Sequence, residues 1–162
     1  MMKYAVWLDG IILDIDLTDM LLRQYKGEDV ELPLIDKIYP DWNEFKKIFK
    51  EDIIIVSPYN EEKTRMIIKK LGDFPFIYSD GKTKPSKKPM EVLFSSFSLD
   101  PLRTIVIGSS PLDLLSIRFY DSRVKFVCIK RKANCSKYSP YLQVDNLMEL
   151  VKSLKRLKIE GN

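Results

Sequence analysis

Two uninterrupted aliphatic runs constrain this chain most: Ile53-Ile54-Ile55-Val56 and Thr104-Ile105-Val106-Ile107. Neither alternates polar with apolar residues. Each must therefore be covered on both faces, which is the condition of a strand inside a parallel sheet. The first run ends on Ser57-Pro58 and the second on Gly108-Ser109-Ser110-Pro111-Leu112-Asp113. A third short run, Lys3–Leu8, ends on Asp9-Gly10, with Asp14-Ile15-Asp16-Leu17-Thr18 just behind it. Residues just past the carboxyl ends of parallel strands converge on one crevice. Acids and hydroxyls are therefore expected together at a single rim.

Helical patterns fill the intervals between these runs. Asp41 is placed to cap a helix over Trp42–Phe49, with Trp42, Phe45, Ile48 and Phe49 on its apolar face. Asn60 caps the next, with Glu61 and Glu62 in its first turn and Gly72 as its stop. Pro89 and Pro111 suit first helical turns. Asn146 with Glu149 three residues on resembles a capping box that opens a last amphipathic helix. Phe74–Tyr78 and Val124–Ile129 read as two further strands, and Ser79–Lys87 and Lys130–Pro140 as polar loops. Strands alternating with helices predict a three-layer, doubly wound α/β fold with a parallel five-stranded sheet. The 162 residues suit one domain, 1–162, in which residues 10–40 form a flap or connection.

Composition narrows the chemistry. The sequence has no histidine, which excludes a Ser-His-Asp or Cys-His nucleophile system and any imidazole metal ligand. Cys128 lies in an apolar strand and reads as core, whereas Cys135 lies in a polar loop; the two do not form a zinc signature. Catalysis would have to rest on carboxylates, lysine and hydroxyls. The net charge of +4 comes from lysines spread along the whole chain. A solvated basic surface is the expectation; a nucleic-acid partner would need those lysines clustered in space. No apolar run approaches the roughly 20 residues of a membrane helix, and the first residues lack a secretory pattern. A cytoplasmic location without membrane association is expected.

With its strand-end residues placed, the chain resembles the haloacid dehalogenase (HAD) superfamily of phosphohydrolases, in an uncapped form with degenerate motifs. Tyr4–Asp14 resembles the first motif, a hydrophobic strand running into Asp-x-Asp-Gly-Thr. Ser57 resembles the second, Lys88-Pro89 the third, and Gly108–Asp113 the fourth, normally Gly-Asp-x-x-x-Asp. The resemblance implies a Rossmannoid core and a Mg²⁺-dependent phosphomonoester phosphatase. Its first Asp attacks phosphorus and forms an aspartyl-phosphate, and its second acts as acid and base. Ser57 and Lys88 would bind the phosphoryl oxygens. Covalent catalysis splits the reaction into two steps, while Mg²⁺ and Lys stabilise charge on the transferring group.

Two frames compete for the first motif. In one, Asp9-Gly10 supplies the second Asp and its Gly, which puts Trp7 at the nucleophile position and Ile11 at the Thr position. In the other, Asp14-Ile15-Asp16-Leu17-Thr18 is a literal Asp-x-Asp-x-Thr. Asp14 would then be the nucleophile, Asp16 the acid, and both would join Asp113 at the metal. Strand length favours the first frame, because the second needs a strand of about 11 residues, roughly 36 Å, or a hairpin at Asp9-Gly10. Ser109 stands where the family carries a metal-binding Asp. A hydroxyl is a weaker ligand than a carboxylate for a hard cation.

The stretch between the first motif and the helix at Trp42 is too short for a large cap, and none fits after Ser57. An uncapped site implies a large phosphorylated substrate, such as a phosphoprotein or a nucleic-acid end, or a cap supplied by a second subunit of a homo-oligomer. Two readings of function follow. One is a HAD-like phosphohydrolase or a weakened descendant of one. The other is a non-catalytic phosphate-binding or scaffold domain that keeps the fold.

Overall fold

The computed structural model describes residues 1–157. Six strands form one sheet: β1 (Lys3–Trp7), β2 (Ile53–Val56), β3 (Phe76–Ile77), β4 (Thr104–Gly108), β5 (Lys125–Ile129) and β6 (Leu142–Val144). Their order is β3-β2-β1-β4-β5-β6, and every neighbouring pair runs parallel. The order reverses at β1, so the crevice expected of such sheets falls beside its carboxyl end. β2 and β4 are buried along their whole length, as their unbroken aliphatic runs require.

The sheet has six strands where the sequence predicted five. The sixth, β6, is three residues long and pairs with β5 through Val127–Leu142, Cys128–Gln143 and Ile129–Val144. Its central Gln143 is exposed, so no apolar run marks it.

Six α-helices accompany the strands among the described residues: α1 (Thr18–Tyr25), α2 (Asp41–Phe49), α3 (Glu61–Leu71), α4 (Lys88–Ser96), α5 (Pro111–Tyr120) and α6 (Leu147–Arg156). Two packed pairs, α2 with α6 and α4 with α5, flank the sheet. α2 buries Trp42, Phe45 and Phe49 against Tyr4 and Phe74, with ring centroids 4.7 Å apart for Tyr4–Phe49 and 5.7 Å for Trp42–Phe74. Ile48, expected on that face, is 43% exposed. Six residues at about 100° each carry it about 120° away from Trp42, off the buried stripe.

The caps follow the side chains that make them. The Asn60 carboxamide accepts from the Lys63 N–H at 2.9 Å and opens α3, which stops at Gly72, where φ is +127°. Asn146 accepts from the Glu149 N–H, but the Glu149 carboxylate takes the N–H of Asp145, not that of Asn146. Asp41 does not cap α2. It is the first residue of the helix, and its carboxylate takes both Arg131 Nη atoms at 3.0 and 3.1 Å and the Leu147 N–H at 2.9 Å. The Arg131 guanidinium also donates to the Ile11 carbonyl and lies 3.8 Å from the centre of the Tyr39 ring. One buried cation thus joins the chain after β1, the start of α2 and the loop between β5 and β6.

Cys128 and Cys135 form a disulfide. It ties β5 to the same loop, and both cysteines are buried. Cys128 is core, as its sequence context suggests, but Cys135 is buried too, although its neighbours are polar. No helix among the described residues is long and apolar enough to cross a membrane.

Candidate functional site

β1 ends at Trp7, and the chain turns at once. The Gly10 N–H donates to the Leu13 carbonyl at 3.0 Å, and the Leu13 N–H donates back to Leu8 at 2.9 Å. Gly10 makes this possible with φ at +84°, a region costly for residues with a Cβ. A Cβ there would also lie 2.2 Å from Ser109 Oγ, so the turn packs directly on the loop after β4. Beyond the turn, residues 12–14 run antiparallel to residues 37–39. Leu13 bridges Ile38, the Asp14 N–H donates to Lys37, and the Tyr39 N–H donates to Ile12.

Asp9 faces the crevice and is 4% exposed. Its Oδ2 receives the Lys84 ammonium at 2.7 Å, and its Oδ1, also buried, has no hydrogen-bond partner among the described residues. The same ammonium donates to Oδ1 of Asp113. The other Asp113 oxygen accepts the Ser109 and Ser110 N–H groups at 2.9 and 3.0 Å, which completes a capping box at the start of α5. The third neighbour of the ammonium is Trp7, whose ring centre lies 4.1 Å from Lys84 Nζ. Lys84, Trp7 and Asp113 are shut off from solvent.

Two carboxylates and one ammonium share this closed space. Burial works to discharge Lys84, but Asp113 and Asp9 outweigh it and hold the ammonium protonated above its ordinary range. Burial, opposed by Lys84 and reinforced by Asp9, raises the Asp113 carboxyl. A cation over the indole face gains further from the ring quadrupole, by about 2 kcal/mol in a desolvated setting.

The other acids of the first motif lie elsewhere. Asp14 sits on the antiparallel segment, paired with Lys132 at 2.8 Å and Lys37 at 3.1 Å. Lys132, Lys37 and the Tyr39 hydroxyl hold its carboxyl well below the usual range. Asp16 is exposed; its Oδ1 accepts from the Thr18 N–H and hydroxyl at 3.0 and 2.6 Å and opens α1. Neither acid contacts Lys84, Asp9 or Asp113. The residue that ends β1 beside this cluster is Trp7, whereas Asp14 lies outside it.

Ser57 lies at the end of β2, but its hydroxyl is occupied. It pairs with Thr64 Oγ1 at 2.7 Å and accepts the Tyr59 N–H at 3.1 Å. Lys88 opens α4 half-exposed, its N–H donating to Ser86 Oγ at 3.0 Å. Its ammonium has no partner among the described residues. The lysine between the acids is Lys84, four residues earlier. The sequence holds two Lys-Pro pairs, Lys84-Pro85 and Lys88-Pro89. The proline that opens α4 points the sequence reading to Lys88, whereas the structure places Lys84 between the acids.

α1 closes the rim from above. Leu17 and Leu21 are buried, and Thr18 Oγ1 lies 3.0 Å from Ser110 Oγ at the start of α5. A cleft of about 190 Å³ remains between Leu21, Gln24, Tyr25 and residues 81–84. The Lys84 ammonium does not open into it.

The Mg²⁺ of the resembled family finds no fitting donor set here. Asp9 and Asp113 are both turned onto an ammonium, Ser109 Oγ packs on Gly10, and the side chain that ends β1 is the indole of Trp7. No cluster of three acidic or sulfur ligands occurs among the described residues.

A doubly wound parallel sheet with an acid–lysine–acid arrangement at the carboxyl end of its first strand defines a haloacid dehalogenase-like fold. Solved structures agree. A haloacid dehalogenase-like hydrolase from Streptococcus pneumoniae superposes with a TM-score of 0.69 at 13% identity, over 94% of this chain and 98% of that one. A HAD-superfamily hydrolase from Ehrlichia chaffeensis gives 0.65 at 17%, covering 96% of each chain. A predicted phosphoglycolate phosphatase from Haemophilus somnus gives 0.68 at 15%, over 93% and 96%. No protein-family model matches the sequence, and no curated protein matches it. At these identities the likeness establishes the fold.

Proposed function

We propose that this chain is a non-catalytic domain of the haloacid dehalogenase fold, a scaffold or binding module whose phosphotransfer centre has become part of its core. One observation carries this reading: Trp7 ends β1 with the Lys84 ammonium 4.1 Å from its ring centre, and both are closed to solvent. An aspartyl-phosphate mechanism needs a carboxylate at that strand end, open to in-line approach. An indole offers no lone pair for attack on phosphorus, and Asp9, the residue in the acid–base position, is tied to Lys84. Ser57 has no free hydroxyl for a phosphoryl oxygen. Asp14, the alternative nucleophile, is held by two lysines on a different segment. The Mg²⁺-dependent phosphatase reading therefore lacks both its nucleophile and its metal site.

The test is an assay of the purified protein with millimolar Mg²⁺ against p-nitrophenyl phosphate, acetyl phosphate and a phosphopeptide. The expected rate equals that of the Asp9→Asn variant. Mg²⁺-dependent turnover abolished by Asp14→Asn or Asp9→Asn would overturn the proposal.

A further inference from the structure

We propose that the surface at the amino ends of β5 and β6 binds single-stranded nucleic acid through unpaired cations and two exposed tyrosines. It lies at the rim opposite Lys84 and goes beyond the reading above without depending on it. Lysines are spread along the whole chain, but the acids are not. Residues 122–144 hold six lysines and arginines and no Asp or Glu. That segment carries +6 against +4 for the whole chain, so the remainder is net acidic. Three of the six are neutralised at the carboxyl end of β5, where Lys130 pairs with Asp145, Arg131 with Asp41 and Lys132 with Asp14. The amino end differs. Arg123 pairs with Asp121, but Lys125 and Lys137 have no ion-pair partner among the described residues, and the Arg118 guanidinium donates to carbonyls. On α6, Lys152 and Arg156 are likewise without a carboxylate among the described residues. With Leu142, Gln143, Val144 and Glu149 these two line a groove of about 250 Å³ along the edge strand β6. The Glu149 carboxylate is turned onto the Asp145 N–H.

The aromatic groups select the partner. Tyr138 and Tyr141 are 44% and 45% exposed, and each has an ammonium beside its ring. Lys137 Nζ lies 5.3 Å from the centre of Tyr138, and Lys125 Nζ 5.5 Å from that of Tyr141. The loop that presents the rings is held in place. The Tyr141 N–H donates to the Phe126 carbonyl at 2.9 Å. Ser139, between the two tyrosines, has φ at +56°, where a residue with a Cβ is uncommon, and Arg118 Nη2 donates to its carbonyl at 3.2 Å. Backbone strain of this kind clusters where side chains are aimed at a ligand. An acidic peptide would use the cations and leave the flat rings idle. A duplex keeps its bases stacked inside, away from the tyrosines. A single strand offers both halves at once: bases stack on the rings whatever their sequence, and phosphates follow the cations.

Fluorescence anisotropy with labelled oligo(dT) and oligo(U), titrated across a range of salt, tests this. The wild type should bind with a slope of log affinity on log salt steeper than about −2, the mark of three or more phosphate contacts. Lys125→Ala/Lys137→Ala should make that slope shallower by about 1.4. Tyr138→Ala/Tyr141→Ala should weaken binding at least about fivefold per ring and leave the slope unchanged. Tyr138→Phe/Tyr141→Phe should retain affinity, because stacking does not need the hydroxyl. Lys26→Ala/Lys69→Ala, an exposed pair outside the surface, should bind as the wild type does. Melting temperatures establish that each variant is folded. On the wild type alone, competition with duplex DNA, polyglutamate and phosphatidylglycerol vesicles should displace the single strand less well than unlabelled oligo(dT). No binding at low salt, equal competition by any of these polyanions, or a folded Tyr138→Ala/Tyr141→Ala protein with wild-type affinity sinks the proposal. Phosphatase turnover, present or absent, bears on the proposed function and leaves this surface untouched.

Discussion

The Lys84 ammonium and the Trp7 indole are stacked at the end of β1, with Nζ 4.1 Å from the ring centre and neither residue open to solvent. Lys84 thereby ties Trp7, Asp9 and Asp113 into one closed cluster at this rim.

Lys84→Met is expected to lower stability by about 3–5 kcal/mol, because it leaves Asp9 and Asp113 buried without their counter-charge. Asp9→Asn/Lys84→Met should recover part of that loss. Urea unfolding of the two single variants and the double variant measures the coupling; additive losses would show that the pair does not interact.

The same cation should shape the alkaline limb of stability. Its folded pKa lies above the ordinary 10.5. The stability it contributes is therefore fully present below pH 10.5 and lost as pH rises through the folded value. Side-chain ¹⁵N NMR should find Lys84 still protonated when the surface lysines have titrated. Asp14 acts at the other end, since its carboxyl is depressed by Lys132, Lys37 and Tyr39. Its contribution holds above pH 3.8, the ordinary value, and fades as pH falls towards the lowered one. The stability gap between wild type and Asp14→Asn should narrow in that window.

Gly10→Ala should cost about 2–4 kcal/mol, combining a positive φ with overpacking. The new Cβ would meet Ser109 Oγ at 2.2 Å but Ser109 Cβ only at 3.5 Å. Adding Ser109→Ala should restore the steric share and leave the backbone share. A double variant no more stable than Gly10→Ala would place the strain elsewhere.

Reducing the Cys128–Cys135 bond should lower the melting temperature. By the chain-entropy account, a link across so short a loop stabilises by about 2.5 kcal/mol. Alkylation of the native protein under non-reducing conditions, read by mass spectrometry, should leave both cysteines unmodified. Two accessible thiols would rule out the bond.

The layered fold was legible because β2 and β4 leave no polar face, so nothing but a parallel sheet with helices on both sides can cover them. β6 was not, because three residues with an exposed Gln143 at their centre carry no periodic signal. Within the site, Asp9 and Asp113 could be placed from the strand ends they follow. The choice between Trp7 and Asp14 leaned on strand length, and the turn at Gly10 explains why: the chain reverses before Asp14 can reach the rim. Lys84 was hidden because a lysine-rich loop gives no local hint of which ammonium turns inward. Only its distant partners, Asp9 and Asp113, decide that.

Arg131 has a consequence for recognition. Its guanidinium fastens the Ile11 carbonyl, and the Tyr39 ring and Asp41 carboxylate of a second stretch, to a loop that a disulfide also restrains. Anything that docks on this end of the molecule meets a pre-set relief with little freedom to adapt. Affinity there will come from matching contours, and the ordering entropy that a pliable lid would spend on closing is already spent in folding.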